Sequence, residues 1–228
     1  MRRAGVFLLI ALMGLALLSG QPALAGDVFG LFGGGERGSG EIATEVREVE
    51  SFDRIKIDGS TDVFVTIGEE QSVSVTTDDN LLDNIETRVR GRHTLLISSH
   101  GNYRSRRGVR VDITVPELTS VRISGSGDAD IVGLKGGAFE IDISGSGDVT
   151  VEGEVDEIEI NIEGSGDVDA RDLKAKDAYV RIAGSGDVDV FASESFDGNV
   201  YGSGDIAFYG RPEHVSRHVS GSGDISRR

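Results

Sequence analysis

One tetrapeptide, Gly-Ser-Gly-Asp, recurs along the second half of the chain and limits the folds that are open to it. Its six copies begin at Gly125, Gly145, Gly164, Gly184, Gly202 and Gly221. Successive copies therefore start 20, 19, 20, 18 and 19 residues apart. A nearly constant period close to 20 residues is typical of solenoids, in which each repeat forms one coil of a continuous stack.

Apolar and polar residues alternate on both sides of every copy. The apolar positions before the turns include Phe139, Ile141, Ile143, Ile158, Ile160, Ile162, Ala178, Val180 and Ile182. Those after the turns are Val149, Val151, Val168, Ala170, Val188, Val190, Ile206 and Phe208. A period of two is that of a β-strand with one buried side. Each repeat is therefore predicted to be strand, tight turn, strand and loop.

One such unit cannot bury its apolar side alone, so successive coils must stack. We expect inward columns such as Ile143, Ile162, Ile182, Val200 and Val219. Asp142, Asn161, Arg181 and Asn199 should face outward. The prediction is an all-β, parallel solenoid with about 19–20 residues per coil. Arg217 and Arg227 fall in inward columns of the last coil, so we predict a charged cap at that end.

The chemistry of the tetrapeptide is suited to a corner. Two glycines allow positive φ on either side of the serine, and the aspartate carboxylate can accept a local backbone N–H in an Asx-type turn. The motif is thus explained as a turn without any bound ligand.

The first residues are typical of an export signal. Arg2 and Arg3 precede an apolar run from Val6 to Leu18, and Ala23-Leu24-Ala25 matches a cleavage site. That run is too short to span a bilayer, which needs about 20 residues. We predict a signal peptide over 1–25, a flexible glycine-rich leader over 26–41, and no transmembrane segment in the mature chain. The protein should then be periplasmic, attached to the cell envelope or secreted.

The segment from Phe52 to Leu118 reads as a less regular version of the same architecture. Val63, Val65 and Ile67 alternate after a turn at 58–62, and Val73 with Val75 predicts another strand. Asn80–Ile85 predicts a short helical turn. Two further strands, around Leu95 and Val111, should flank a basic loop that contains Arg104, Arg106 and Arg107.

Several stretches of this chain together resemble one known family. They are 52–59 (FDRIKIDG), 80–82 (NLL), 115–118 (VPEL) and 123–128 (ISGSGD) with its successors. On these residues, 52–228 resembles the putative auto-transporter adhesin, head GIN domain family of exported bacterial proteins. The resemblance implies a right-handed parallel β-helix-like solenoid over 42–228, irregular over 52–118 and repetitive over 119–228. It also implies no assigned catalytic residues.

Composition excludes several functions. The formal net charge of −16 and the 6% aromatic content argue against nucleic-acid binding, which needs a cationic face and stacking platforms. The absence of cysteine excludes disulfides, thiolate metal sites and a cysteine nucleophile.

Specific calcium binding is the main alternative to a solvated acidic surface. Asp128 with Asp130, Asp167 with Asp169, and Asp187 with Asp189 each offer two carboxylates at strand spacing, and hard oxygen ligands suit calcium. However, known calcium-binding repeats read G-G-x-G-x-D, whereas here the aspartate follows the second glycine directly. We therefore predict no cofactor or metal ligand, with calcium kept as the alternative.

No catalytic residue is predicted. His214 and His218 would align for zinc only on a helix, and His218 lies in strand register. His93 and His100 flank a strand with no nucleophile nearby, and the Gly-Ser-Gly serines have no histidine in a fixed relation to them. We therefore expect a non-catalytic structural or adhesive protein that binds an envelope or extracellular ligand, either glycan or protein. The alternatives are a solenoid carbohydrate-active enzyme and a calcium-stabilised envelope protein.

Overall fold

The computed structural model describes residues 35–228, which form a β-solenoid of about 5 turns. The predicted signal peptide and the first part of the predicted leader lie outside the described residues. Among residues 35–228, no helix has the length and apolar character that a membrane crossing requires.

The strands of the irregular N-terminal part are short. They are β1 (Glu36–Arg37), β2 (Ile42–Val46), β3 (Arg54–Gly59), β4 (Asp62–Ile67), β5 (Ser72–Asp78), β6 (Ile85–Arg90), β7 (Thr94–Ser99), β8 (Tyr103–Arg104) and β9 (Arg110–Val115). The helical turn predicted near Asn80 is a 3-10 helix, Asp79–Asn84, and it buries Leu81.

The strands of the repeat region are longer. They are β10 (Ser120–Gly125), β11 (Ala129–Gly145), β12 (Val149–Gly164), β13 (Val168–Gly184), β14 (Val188–Gly202), β15 (Ile206–Tyr209), β16 (His214–Gly221) and β17 (Ile225–Arg227). All of them pair in parallel with the equivalent strand of the next coil. The fold class predicted from the repeat is thus confirmed.

The predicted inward columns are also confirmed. Ile143 pairs with Ile162, Ile162 with Ile182, Ile182 with Val200 and Val200 with Val219. Ile160 lies between Ile141 and Val180 and has 0% of its surface exposed. These columns form one continuous hydrophobic core along the stack. Along each strand, every second side chain points into this core, and the side chains between them face solvent.

The loop expected within each repeat is mostly strand. β12, for example, runs without interruption from Val149 to Gly164, and the register shifts locally between Thr150 and Gly153. Gly153 has φ +145°, and a Cβ there would lie 2.0 Å from the carbonyl oxygen of Leu134. The chain therefore turns this corner by a bulge at a glycine, which keeps the backbone groups on both sides paired.

The two glycines of each Gly-Ser-Gly-Asp turn serve different purposes. The first has positive φ in all six copies, as at Gly145 with φ +143°. The second, such as Gly147, does not, but a Cβ there would lie 2.1 Å from the carbonyl oxygen of Gly127 in the preceding coil. The prediction of positive φ on both sides of the serine is therefore wrong for the second glycine, which is required by close approach of two backbones.

Antiparallel strands cover the N-terminal end of the stack. β7 pairs in parallel with β3, but β6 then pairs antiparallel with β7. On the other side β9 pairs in parallel with β4, and β5 and β2 follow in antiparallel order. In the irregular part predicted over 52–118, strand pairing thus changes from parallel to antiparallel at the end of the solenoid.

The described part of the predicted leader, residues 35–41, makes specific contacts with the solenoid. β1 pairs with β8, and Gly40 N–H donates to the carboxylate of the buried Asp78 at 2.7 Å. Ser105 donates to the same carboxylate, and these two bonds lower the pKa of Asp78. A Cβ on Gly38 would lie 2.4 Å from that carboxylate. Here glycine permits close contact, although the same composition is typical of flexible segments.

Side chains cover part of the C-terminal end. Phe196 and Phe208 stack with ring centroids 4.3 Å apart, and the Arg217 guanidinium lies 4.7 Å from the centre of the Phe208 ring. Arg217 also donates from Nη1 to the carbonyl oxygen of Ile225 at 3.2 Å. Beside it, Val215 and Val219 occupy inward columns yet remain 45% and 40% exposed. An arginine therefore covers the centre of an otherwise open apolar end.

We expect the double variant Arg217→Ile, Arg227→Val to associate end to end as concentration rises. It removes both charges from the strand edges that end the stack, and uncharged edges pair with other chains. Sedimentation velocity on the parent and the variant measures this. Superimposable profiles at all concentrations would show that the arginines do not protect this end.

Candidate functional site

The aspartates of the six turns form a hydrogen-bonded series, which we call the aspartate ladder. Its members are Asp128, Asp148, Asp167, Asp187, Asp205 and Asp224. In each of the first five, Oδ1 accepts the backbone N–H of the next member at 2.7–2.9 Å. The acceptor role predicted from sequence is correct, but the predicted local donor is wrong because the donor lies in the following coil. The ladder therefore links coils.

Asp62 extends this arrangement toward the N-terminus. Its carboxylate accepts a hydrogen bond from the backbone of Asp128, but burial has the larger effect and raises the pKa of Asp62. The charges of Asp128 and Asp130 raise it further.

Most of the carboxylates considered for calcium are engaged in other contacts, and Oδ1 of Asp128, Asp167 and Asp187 accepts a backbone N–H of the next coil. Arg171 binds Asp169 through Nε at 2.7 Å and Asp189 through Nη2 at 2.5 Å, which joins two coils. Within residues 35–228, no three His, Asp or Glu side chains are grouped in a way that could hold one metal ion. An arginine bridge therefore occupies two of the three strand positions that were considered for calcium, Asp169 and Asp189.

The histidines of the described chain do not cluster around one site. His214 and His218 are on β16, as strand register predicts, and both are exposed. His100 Nε2 lies 2.8 Å from Glu86, and His93 is in a turn with φ 51°.

One cleft collects carboxylates. It has a volume of about 540 Å³ and includes Glu140, Glu157 and Glu159 in its lining. Burial, followed by the nearby charge of Asp142, raises the pKa of Glu140. A carboxyl group that holds its proton more tightly can act as a general acid, so this cleft is where the enzymatic alternative would place its chemistry. Arg122, however, pairs with Asp142 directly beside it.

Aromatic side chains define a different surface near the C-terminal end. Tyr179 and Tyr201 are 43% and 39% exposed, and they are the only large exposed aromatic residues in the described part of the chain. We call their surroundings the tyrosine face, which consists of Tyr179, Arg181, Asp197, Asn199, Tyr201 and His218 on the outward side of β13, β14 and β16.

Contacts between neighbouring coils organise the tyrosine face. The Arg181 guanidinium lies 4.4 Å from the centre of the Tyr201 ring, and His218 is tilted against that ring with centroids 5.7 Å apart. Asn199 Nδ2 donates to Asp197 Oδ1 at 2.6 Å. Next to this group lies a shallow cleft of about 480 Å³ whose lining includes Tyr179, Asp197 and Ser216. The face thus combines exposed rings with hydrogen-bonding groups.

Sequence reasoning placed Arg181 and Asn199 correctly on the outer surface but missed the tyrosines. The signal was present as a departure from the repeat. The position of Tyr179 is occupied by Glu140 and Glu159 in the two preceding coils, and that of Tyr201 by Ser144, Glu163 and Ala183. Two tyrosines on neighbouring coils therefore interrupt columns that are otherwise acidic or small.

Comparison with solved structures shows the same fold in other bacterial proteins. A putative adhesin from Bacteroides fragilis is 24% identical, with a TM-score of 0.70 over 84% of this chain and 99% of that one. A putative lipid binding protein from Parabacteroides distasonis is 27% identical, with a TM-score of 0.50 over 84% of this chain and 98% of that one. A putative adhesin from Parabacteroides merdae is 19% identical, with a TM-score of 0.55 over 84% and 98%.

No curated protein matches the chain. A family model, in contrast, matches residues 51–212, which include the turn at Gly59 and five of the six repeat turns. The matched segment is well over half of the chain, and it contains the tyrosine face apart from His218. The chain therefore belongs to the putative auto-transporter adhesin, head GIN domain family.

Proposed function

We propose that this protein is an exported, non-catalytic binding protein with an adhesin-like role, and that its ligand contacts the tyrosine face. The observation that carries the proposal is the interruption of the repeat at Tyr179 and Tyr201. Structural columns repeat, whereas a binding site is singular. Exposed aromatic side chains that the core does not need are typical of interaction surfaces.

Family membership and fold support a binding role. The structural neighbours from Bacteroides fragilis and Parabacteroides merdae are described as putative adhesins. The non-catalytic part of the proposal rests on the carboxylates of this chain: five ladder members accept backbone hydrogen bonds, and Asp142, Asp169 and Asp189 pair with arginines. Export rests on the signal peptide that residues 1–25 predict.

Binding of the purified protein to cell-envelope fractions and to a panel of glycans tests this proposal. The variant Tyr179→Ser, Tyr201→Ser is expected to lose most of the binding. Tyr209→Ser is the matched control, because Tyr209 is a partly exposed tyrosine on another side of the same coils, where it donates to Asp189. Equal binding by the parent and the double variant would refute the assignment of the surface.

The enzymatic alternative is tested on the same panel. If the chain cleaved glycans, products would accumulate with the parent protein and disappear with Glu140→Gln, which removes the carboxyl group with the raised pKa. We expect no products with either protein. Products that depend on Glu140 would make the chain an enzyme.

We also propose that the fold needs no resident calcium. Backbone N–H groups and Arg171 already bind five of the six carboxylates that calcium would use, all except Asp130. Thermal unfolding midpoints in excess chelator and in millimolar calcium should therefore differ by only a few degrees. A large loss of stability in chelator would instead identify a cation that binds the folded state.

A further inference from the structure

Arg181 differs from Arg122 and Arg171, the two other arginines on strands β10–β14, in having no carboxylate partner. Arg110 is bound to Asp112, Arg122 to Asp142 and Arg171 to Asp169 and Asp189. Arg181 is exposed and forms no ion pair with any residue between 35 and 228. In a chain with a formal net charge of −16, an unneutralised guanidinium beside two exposed tyrosines is a local exception.

The surrounding side chains hold this guanidinium without neutralising it. Tyr201 lies beneath it at 4.4 Å, a cation–π contact that restricts its position. Asp197, the acidic member of the tyrosine face, instead accepts a hydrogen bond from Asn199 at 2.6 Å. The N–H donors of Arg181 form no hydrogen bond within the described part of the chain and can serve a ligand from solvent. A planar guanidinium with free donors matches carboxylate and sulfate groups.

The geometry points to a carbohydrate that carries carboxylate or sulfate groups as the ligand of the tyrosine face, with the anion on Arg181 and a sugar ring against Tyr179. This inference rests on the proposed function and adds its ligand class. β13 and β14 are paired on both sides, so a peptide cannot add to them as a strand. The tyrosine face therefore offers aromatic rings and polar side chains rather than backbone groups. The rings suit the C–H faces of a sugar, and the polar side chains suit its hydroxyls.

The chain contains a matched control for Arg181. Arg122 lies in the same outward column, three coils earlier, and the column runs from Arg122 through Asp142 and Asn161 to Arg181. Arg122 is similarly exposed but pairs with Asp142 and has no tyrosine beside it. Arg181→Gln and Arg122→Gln therefore remove the same charge from the same face of the protein. Only the first removes the proposed anion contact.

Titration calorimetry with four probes tests the inference: oligogalacturonate for carboxylate, dextran sulfate for sulfate, neutral dextran, and a poly-glutamate peptide. We expect one of the charged sugars to bind, and Arg181→Gln to weaken it about tenfold, as loss of a charge-assisted hydrogen bond implies. Arg122→Gln should bind like the parent. Tyr201→Leu, which removes the ring beneath Arg181, should also weaken binding while thermal unfolding shows that the variant remains folded.

Several outcomes overturn the inference. They are equal affinity of the two arginine variants, no binding of either charged sugar, neutral dextran binding as tightly as the charged sugars, and poly-glutamate binding as tightly as oligogalacturonate. In each of these cases the proposed function stands if Tyr179→Ser, Tyr201→Ser still abolishes binding to envelope fractions. If that double variant binds the fractions normally, the proposed function fails as well.

Discussion

Ile160→Asp is expected to unfold at a much lower urea concentration than the parent protein. Ile160 has no exposed surface and packs between Ile141 and Val180 of the adjacent coils. Truncating a buried isoleucine costs about 2–5 kcal/mol. An unpaired carboxylate in the same place adds a desolvation cost of several kcal/mol. The sum approaches the whole stability of a typical domain.

Asn161→Asp provides the control, because it introduces the same side chain one residue further along the strand, on the outward face. Asn161 is only partly buried, and Asn161→Asp replaces its hydrogen bond to Glu159 by a like charge near solvent, so we expect a loss of about 1 kcal/mol, far less than for Ile160→Asp. Asp142→Asn, another outward change, should also be nearly silent, since an exposed ion pair contributes about 0–1 kcal/mol. Equal urea midpoints for Ile160→Asp and Asn161→Asp would show that the strand register is wrong.

Gly164→Ala is also expected to be strongly destabilising, although it adds only one methyl group. Gly164 has φ +142°, and its added Cβ would lie 2.1 Å from the carbonyl oxygen of Gly145. The backbone strain alone costs about 1–3 kcal/mol. The clash cannot relax easily, because the same carbonyl accepts the N–H of Ser165 at 2.8 Å. We expect a loss of more than about 3 kcal/mol or failure to fold.

Gly137→Ala is the corresponding control. No atom lies within 4 Å of its added Cβ, and its φ is outside the left-handed region. The substitution should be neutral, or should stabilise by about 0.4–1 kcal/mol by restricting the unfolded chain. Chemical denaturation of both variants makes the comparison. Similar stabilities would mean that the coils can separate at the turn at little cost.

The repetitive core was predictable because equivalent positions recur in every coil and can be aligned in the sequence. Once the turns are aligned, period-two alternation assigns the inward positions on either side of each turn, and positions such as Ile158 and Val190 are buried as expected. The same reasoning placed Arg217 in an inward column without showing what it contacts. In the structure Arg217 pairs with Gly198, which has no Cβ and so leaves room for the Phe196 ring, and its guanidinium lies over Phe208.

The ends of the solenoid were less predictable. The alternation of Val73 and Val75 indicates a strand but not its direction, and β5 pairs antiparallel with β9. Docking of residues 35–41 depends on Asp78, about 40 residues away in sequence. These contacts occur once, so no second copy exists to align. The tyrosine face was missed for a related reason: Tyr179 and Tyr201 lie in different columns, and each occurs only once in its column.

The aspartate ladder has a consequence for how this protein can change over evolutionary time. Every boundary between repeat coils uses the same bonds, with the aspartate N–H donated to the earlier carboxylate and the serine N–H to an earlier glycine carbonyl. In-frame duplication of one repeat would insert an additional coil between two existing ones. The new coil would form these hydrogen bonds with the coil before it, and the coil after it would form the same bonds with the new coil. The antiparallel strands at the N-terminal end and the last coil at the C-terminal end would remain as they are. Duplication or deletion would thus change the length of the solenoid by about 4.8 Å per coil without changing the hydrogen bonds at each boundary between coils. Evolution could therefore change the length of the protein without a loss of its stability.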